Sequence, residues 1–286
     1  MVDIVLQELN ALQSQILGGK IYHFLLNPTW KCGFTCQYCW TTLLGRDRGA
    51  EVFTGKDHSW HEWIAVLNDL PPSVLDWCGG EVLCMYPGFI YLTLGLDAKH
   101  LQAVTTNLQS EHSIKDFVKK VPPTQFISVT CSWHREGYVT RTNFAKRALM
   151  LRDKGFNTHI NIVNHESYRH ELEETVQFFK NLGFKTHVSP WENPLDAVKT
   201  DKWLICNAGL NTFTISNTGD VYRCLTWFRS QHRDEAYMGN LFSETFKPFQ
   251  NEQPCRLRCD IYYTLDSQHE QKHMFSTYVR PLHMCA

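Results

Sequence analysis

The sequence lacks the features that would place the protein in a membrane, outside the cell or on nucleic acid. No apolar run is long enough to span a bilayer as a helix, and residues 1–10 lack the basic, apolar and small-residue regions of a secretory signal. The lysines and arginines are scattered and the formal net charge is −1, so no basic patch faces a phosphate backbone. We therefore expect a cytoplasmic protein that binds neither membranes nor nucleic acid.

A disulfide framework is not expected either, although the chain contains 11 cysteines. A chain of 286 residues with 43% hydrophobic content can bury a substantial core without covalent staples, as one large domain or one domain with an appendage. So many cysteines in a reducing compartment need a reason other than packing. Ligation of a metal or a cluster is that reason.

Three of the cysteines share one short loop. Cys32, Cys36 and Cys39 form a Cys-x3-Cys-x2-Cys run directly after the apolar stretch 21–26. Three thiolates can hold three irons of a four-iron four-sulfur ([4Fe–4S]) cluster and leave the fourth iron open for chemistry. A structural zinc site usually adds a second pair of ligands elsewhere, so the lone triplet fits zinc poorly.

This loop resembles the signature of the radical S-adenosylmethionine (SAM) superfamily, including the aromatic Tyr38 just before the third cysteine. The resemblance implies that the amino and carboxylate groups of SAM chelate the open iron. It also implies that an electron from the cluster cleaves SAM to a 5'-deoxyadenosyl radical. Phe34 and Tyr38 are then expected beside the bound SAM.

Short apolar segments alternate with longer helical ones over the first two thirds of the chain. The pattern predicts strands at 21–27, 73–77, 100–106, 125–132, 157–163 and 184–189. It predicts helices at 58–70, 113–120, 143–154 and 166–182. Such units indicate an α/β fold with a parallel sheet. Radical SAM enzymes commonly use a partial (β/α)6 TIM-like barrel, so the resemblance favours that barrel, with chemistry at the C-terminal strand ends.

A glycine pair follows the second predicted strand. Gly79, Gly80 and Glu81 match the family's Gly-Gly-Glu motif, whose backbone and carboxylate meet the amino group of SAM. Three ammonium hydrogens need acceptors, and glycines let the backbone come close enough to supply them. A Gly-Gly pair by itself is more often only a turn.

Polar residues on the next strands are further candidates for contact with SAM. Thr106 and Asn107 resemble the polar strand end that lies near SAM in the family. Ser128, Ser132 and Asn161 are the corresponding candidates for the SAM carboxylate and ribose hydroxyls. Serine and asparagine at strand ends are otherwise turn or cap residues.

A second cysteine-bearing region follows the proline-containing connector at 191–201. Two short strands at 211–216 and 221–224 are predicted, joined by a hairpin signal at 217–220. One cysteine precedes this hairpin, one ends it and two follow, so four thiolates can converge. They are Cys206, Cys224, Cys255 and Cys259.

The spacing of these cysteines resembles the SPASM and twitch auxiliary-cluster domains. The longer cysteine run of a full SPASM domain is not present, so the twitch domain with one auxiliary [4Fe–4S] cluster is the better match. The resemblance divides the chain into a radical SAM partial barrel at 1–195 and a hairpin-containing twitch/SPASM-like domain at 196–286. Four thiolates would also satisfy zinc, and ligand type cannot separate the two.

Cys131 and His134 are the catalytic candidates. Cys131 lies near the end of strand four, and radical epimerases of the superfamily use such a thiol as a hydrogen-atom donor. Packing is the ordinary role of a buried free cysteine. His134 follows on the same loop and could orient a substrate or remove its proton.

The resemblance implies a radical SAM enzyme with two clusters and SAM, supplied by an external one-electron donor such as flavodoxin or ferredoxin. About twenty residues precede the first strand, too few for a winged-helix peptide-recognition domain, which favours a small-molecule substrate. Its product would be oxidised, by dehydrogenation or cross-linking, with the auxiliary cluster as electron acceptor. The alternatives are a peptide-modifying enzyme that forms cross-links, thioethers or epimers, and a non-enzymatic iron–sulfur or zinc scaffold or electron carrier.

Overall fold

The computed structural model describes residues 22–45, 58–138, 140–191, 199–206, 208–230, 232–251 and 253–257. The strands in these ranges are β1 (Tyr22–Leu26), β2 (Ser73–Trp77), β3 (Leu101–Thr106), β4 (Phe126–Trp133), β5 (Thr158–Asn164), β6 (Lys185–Pro190), β7 (Lys199–Cys206), β8 (Thr212–Ile215), β9 (Asp220–Tyr222), β10 (Tyr237–Asn240) and β11 (Gln253–Leu257). The α-helices are α1 (Trp40–Leu43), α2 (Trp60–Asp69), α3 (Gly88–Gly95), α4 (Glu111–Lys120), α5 (Arg141–Lys154), α6 (Leu172–Asn181) and α7 (Leu225–Arg229). None of the described helices has the length and apolar character needed to cross a bilayer.

Nine strands form one open sheet, in the order β10-β9-β8-β1-β2-β3-β4-β5-β6. β1 to β6 are parallel and adjacent in chain order, since a helix-containing crossover joins each strand to the next. The main apolar core lies between this sheet and the helices. The predicted α/β fold with a six-unit parallel sheet is therefore confirmed, and the sheet is open and not closed.

The predicted C-terminal hairpin is present, and it continues the same sheet. β8 and β9 pair antiparallel, and Gly219 in the turn has φ +82°. β8 also pairs in parallel with β1, which sets Phe24 beside Phe213 with ring centroids 5.0 Å apart. β7 and β11 form a separate two-stranded sheet. The hairpin is thus hydrogen-bonded to the strand that leads into the cysteine loop.

Helix ends follow local sequence signals. Ser59 and Glu62 form a capping box at the start of α2, in which each side chain accepts a hydrogen bond from the backbone N–H of the other. Gly155 ends α5 with φ +109°, as expected of a C-cap glycine. The helix predicted at 166–182 is only partly right, because residues 166–171 form a 3₁₀ segment and α6 begins at Leu172.

The sequence pattern does not predict α3. Its residues are apolar on all sides, so they show no amphipathic period. The helix is recognisable only from its packing against α2. A Cβ atom on Gly88 would lie 2.0 Å from the Trp60 ring, and one on Gly95 would lie 2.5 Å from Ile64.

Candidate active site

A cleft lies where the loops that follow β1 to β4 meet, at the C-terminal ends of the strands. It holds about 540 Å³ of empty space, part of which is open to solvent. Its described lining combines thiols, aromatic rings, glycines and small polar side chains. These residues are Cys32, Phe34, Cys36, Tyr38, Cys39, Trp40, Thr41, Gly79, Gly80, Thr105, Thr106, Asn107, Ser132 and His134. The fold therefore brings the cysteine triplet and both glycines of the Gly-Gly-Glu segment to one cavity.

The glycine pair lets the cysteine loop dock against the end of β2. The backbone N–H of Gly80 donates to the carbonyl of Thr29, and that of Glu81 donates to the carbonyl of Lys31, each at 2.7 Å. A Cβ atom on Gly80 would lie 2.4 Å from the Lys31 oxygen. Gly79 has φ +116°, and its Cβ would lie 2.7 Å from the Thr29 oxygen. Only glycine permits this close approach of two backbones.

The Glu81 carboxylate ties the end of β2 to the end of β3. It is fully buried, and it accepts hydrogen bonds from Leu83 N at 2.9 Å, Thr106 Oγ1 at 2.7 Å and Asn107 N at 2.5 Å. Burial raises its pKa to about 7, while these three bonds act in the opposite direction. Both carboxylate oxygens thus meet protein donors, and Glu81 is not among the described residues of the cleft lining.

The thiols of the triplet differ in exposure. Cys36 is buried, whereas Cys32 and Cys39 are half-buried. Burial raises the pKa of Cys36, and the nearby Glu136, Cys39 and Cys32 raise it further. In the described part of the chain, no three His, Cys, Asp or Glu side chains are arranged to hold a single metal ion. Three cysteine thiols on one loop are the donor set that a four-iron cluster with one open iron takes, so the residues present fit such a cluster.

Tyr38 and His134 form a neutral pair on the cleft wall. The Tyr38 hydroxyl lies 2.8 Å from His134 Nδ1, and the two rings stack with centroids 5.9 Å apart. Burial lowers the pKa of His134 to about 4, against the opposing effect of Glu136, and burial raises the pKa of Tyr38. The Tyr38 hydroxyl and the neutral imidazole therefore share one hydrogen bond, whose direction follows the imidazole tautomer.

Ser132 presents a buried hydroxyl without a partner. Its side chain lines the cleft, and its Oγ atom has no hydrogen-bond partner within the described residues. Ser128 lies four positions earlier on β4, and Asn161 on β5 accepts a hydrogen bond from Ser189 Oγ at 2.6 Å. Neither of these two belongs to the described lining of the cleft. Among the three serine and asparagine candidates on β4 and β5, Ser132 is therefore the one placed to meet a ligand.

Cys131 faces the core and not the cleft. Alternate residues of β4 point to opposite sides of the sheet. Val129, Cys131 and Trp133 belong to the main apolar core, whereas Ser132 and His134 line the cleft. Cys131 is fully buried, and this placement fits the ordinary role of a buried free cysteine, which is packing. The position of Cys131 near a strand end could not predict which face of the sheet it lies on, because a shift of one residue along the strand reverses the face.

Gln109 and Trp191 hold the cysteine loop from outside, and the sequence patterns did not predict these contacts. Gln109 Oε1 accepts a hydrogen bond from the backbone N–H of Gly33 at 2.9 Å, and Gln109 Nε2 donates to the Cys84 sulfur. Trp191 Nε1 donates to the carbonyl of Tyr38 at 3.1 Å. No local motif marks such contacts, since each joins segments that are far apart in the chain.

Part of the C-terminal cysteine set comes together. Cys206 and Cys255 lie on the paired strands β7 and β11, where Cys255 is opposite Leu204 and Cys206 is opposite Gln253. Cys224 packs against the small apolar cluster that contains Cys255 and Trp227. Trp227 Nε1 donates to the Cys255 sulfur at 3.4 Å. Cys259 lies outside the described residues.

No family model and no curated protein matches the sequence. Solved structures do match the fold. anSMEcpe with bound AdoMet aligns with a TM-score of 0.59 and 14% identity, over 79% of this chain and 76% of that chain. SuiB of Streptococcus suis bound to S-adenosylmethionine aligns with a TM-score of 0.57 and 14% identity, over 94% of this chain and 72% of that chain.

The chain has the fold of these radical SAM enzymes. A likeness at this level of identity establishes the architecture and leaves the reaction to the site residues.

Proposed function

We propose that the protein is a radical SAM enzyme that reductively cleaves SAM and uses the resulting radical to abstract a hydrogen atom from its substrate. One observation carries this proposal. The three cysteines of the motif and the glycine pair line one cleft at the C-terminal strand ends, in a fold whose neighbours were solved with AdoMet. Without that convergence, the motif and the fold would be two separate resemblances.

Cys32, Cys36 and Cys39 would hold the SAM-binding [4Fe–4S] cluster. Thiolates are the ligands that iron–sulfur clusters require, and three of them leave one iron for SAM. When bound, the cluster supplies the electron that splits SAM into methionine and the 5'-deoxyadenosyl radical. Phe34 and Tyr38 would shield the loop from water, because both line the cleft and Tyr38 is almost fully buried.

Polar groups of the cleft would orient SAM. Gly79 and Gly80 expose backbone to the cavity, where no side chain blocks an approaching ammonium group. Thr106 and Asn107 border the same cavity, and the free hydroxyl of Ser132 would meet a carboxylate or ribose hydroxyl. Glu81 would act indirectly, by holding Thr106 and Asn107 in place.

Cys206, Cys224, Cys255 and Cys259 would hold an auxiliary [4Fe–4S] cluster in a C-terminal module that we propose to begin near residue 196. Loss of a hydrogen atom leaves a substrate radical, and loss of one more electron and a proton gives the oxidised product. A fully ligated auxiliary cluster would take that electron. The pairing of β7 with β11 and the packing of Cys224 near Cys255 support this ligand set.

The predicted substrate is a small molecule, and a peptide is the second candidate. The peptide alternative is favoured by what two fold neighbours were solved with. anSMEcpe is known with the Kp18Cys peptide, and SuiB with its precursor peptide SuiA. A candidate peptide that does not stimulate formation of 5'-deoxyadenosine, with or without its leader segment, would argue for the small-molecule assignment.

The test is formation of 5'-deoxyadenosine from SAM with a chemical reductant or reduced flavodoxin, under anaerobic conditions. We expect slow formation without substrate, about eight irons in the parent and about four in the Cys32/Cys36/Cys39 triple alanine variant, since each cluster holds four. Cys78→Ala, which removes a buried cysteine outside the triplet, should keep the activity. A Cys36→Ala protein that still formed 5'-deoxyadenosine would contradict the assignment. An iron- or zinc-loaded parent that never cleaved SAM would support the scaffold or electron-carrier alternative.

A further inference from the structure

The side-chain amide of Asn107 makes a hydrogen bond to a cysteine sulfur of the triplet. Asn107 Nδ2 lies 3.2 Å from Cys32 Sγ, and Asn107 Oδ1 accepts the backbone N–H of Gln109 at 2.9 Å. A backbone N–H can only donate, so the atom that faces it must be the amide oxygen. The NH2 group of Asn107 therefore points at Cys32 and not away from it.

Asn107 is held in this position from several directions. Its backbone N–H donates to the buried Glu81 carboxylate at 2.5 Å, and its carbonyl accepts the Tyr138 hydroxyl at 2.8 Å. Leu108, the next residue, is fully buried at φ +56°, a conformation that few non-glycine residues adopt. The turn is thus fixed around the amide and does not need the Asn107–Cys32 bond for its own conformation.

Arg147 fixes the same turn from its outer side. Its Nη1 atom donates to the carbonyl of Leu108 at 2.7 Å and to that of Gln109 at 2.9 Å. Gln109 holds the neighbouring loop residue Gly33 through a hydrogen bond to its side-chain oxygen. Within this turn, the amide that donates to the Cys32 sulfur belongs to Asn107. Gln109 Nε2 is directed to Cys84, and Gln109 Oε1 lies 3.9 Å from Cys32 Sγ.

We propose that Asn107 is a positioning residue that sets the reduction potential of the SAM-binding cluster through its N–H···S bond to Cys32. The inference rests on the proposed function, because it needs the cluster on Cys32, Cys36 and Cys39. One-electron reduction adds negative charge to the cluster and its sulfurs. A fixed N–H donor stabilises the reduced form more than the oxidised form, and so raises the potential.

The experiment is an anaerobic redox titration of reconstituted full-length protein, followed by electron paramagnetic resonance. The signal that changes on addition of SAM identifies the SAM-binding cluster among the clusters present. We compare the parent with Asn107→Ala, which removes the donor without adding charge, and Asn107→Asp, which keeps the oxygen that accepts from Gln109. Arg147→Lys is the matched control, because it weakens the hold on the same turn at Leu108 and Gln109, keeps the positive charge and leaves the Asn107 amide in place.

We expect both Asn107 variants to retain the cluster and to be harder to reduce. A lost hydrogen bond of about 1 kcal/mol lowers the reduction equilibrium about fivefold, which is about 40 mV for one electron. Arg147→Lys should leave the potential unchanged. Resonance Raman spectra should show a shifted Fe–S(Cys) stretch in the Asn107 variants alone.

Three results would overturn the inference. They are an unchanged potential in Asn107→Ala, a lowered potential in Asn107→Asp alone, which reports only the added charge, and an equal change in Arg147→Lys. If Asn107→Ala does not fold, an unchanged potential in Asn107→Asp overturns it as well. A parent that held no cluster at the triplet would remove the proposed function, whereas a cluster whose potential ignores Asn107 removes this inference alone.

Discussion

The hydroxyl of Tyr38 forms a hydrogen bond with Nδ1 of His134 across the wall of the cleft, at 2.8 Å. This bond joins the cysteine loop to the end of β4. Burial keeps the imidazole of this pair neutral, because it lowers the pKa of His134 to about 4.

Tyr38→Phe should lower the free energy of unfolding by about 1 kcal/mol, because a part-buried imidazole nitrogen loses its partner. The matched control is Tyr91→Phe. The Tyr91 hydroxyl makes a similar bond to His61 Nε2 at 2.6 Å, but at the surface, where water can replace it. Urea unfolding of both variants measures the difference. Equal losses would show that the Tyr38–His134 bond gains nothing from its burial.

Gly80→Ala should prevent the cysteine loop from docking, because the new Cβ would lie 2.4 Å from a backbone oxygen that cannot move freely. We expect loss of about four of the irons bound by the parent, measured by iron analysis after reconstitution. Gly183→Ala is the control. It has φ +80° and only the end of the Arg152 side chain nearby, so it should cost about 1 kcal/mol of stability and no iron. Full iron retention in Gly80→Ala would refute the docking role.

Ser132→Ala should weaken SAM binding about tenfold, or about 1.4 kcal/mol. The variant lacks the buried hydroxyl that would bond to SAM, and that hydroxyl has no protein partner within the described residues. Stability should stay the same or rise slightly, since an unpartnered buried hydroxyl is removed. Equilibrium dialysis of SAM on the reconstituted protein measures the affinity. Ser128→Ala, on the same strand and outside the described cleft lining, should bind SAM like the parent. A large loss of stability in Ser132→Ala would show that the hydroxyl serves the fold.

Stability should fall as the pH drops from 6.5 to about 4. Burial lowers the pKa of His100 and of His159 to about 4, so below pH 6.5 the unfolded chain binds protons that the folded chain does not. The loss is on the order of 3 kcal/mol for each histidine. Glu81 acts in the opposite sense: its raised pKa of about 7 destabilises the fold above pH 7, and that cost disappears as the pH falls to 4.5.

Urea unfolding at several pH values checks this dependence. The slope between pH 6.5 and 4 should be shallower in His159→Gln than in the parent. His170→Gln, which changes an exposed histidine, should keep the parent's slope. A parent whose stability is flat over this range would contradict the buried neutral state of both histidines.

Local patterns predicted the parts of the fold that depend on neighbours in the chain. β2 begins and ends where the short apolar segment and the flanking turn residues place it, and Gly155 ends its helix as a C-cap should. The cysteine triplet and the glycine pair could be identified from spacing and from their order relative to the strands. All five of these residues line the cleft.

Contacts between distant segments could not be predicted in this way. Nothing in the sequence around Glu81 shows that its carboxylate is fully occupied by Leu83, Thr106 and Asn107. The face of the sheet on which Cys131 lies depends on its exact position along β4, because adjacent residues point to opposite faces. The pairing of the C-terminal hairpin could not be predicted either. β8 pairs with β1, and the order of all the strands in the sheet decides that edge.

The pairing of β1 with β8 has a consequence for synthesis on the ribosome. β1 emerges early, and its backbone partner on one side emerges only when residues 212–215 have been made. Until then a nascent chain exposes an unpaired strand edge with apolar side chains such as Phe24, which is a template for association with other chains. The sheet is complete only after the C-terminal third of the chain has been synthesised. Only then does the strand that supports the cysteine loop have a partner on both sides. Insertion of iron before that point would act on an unfinished site.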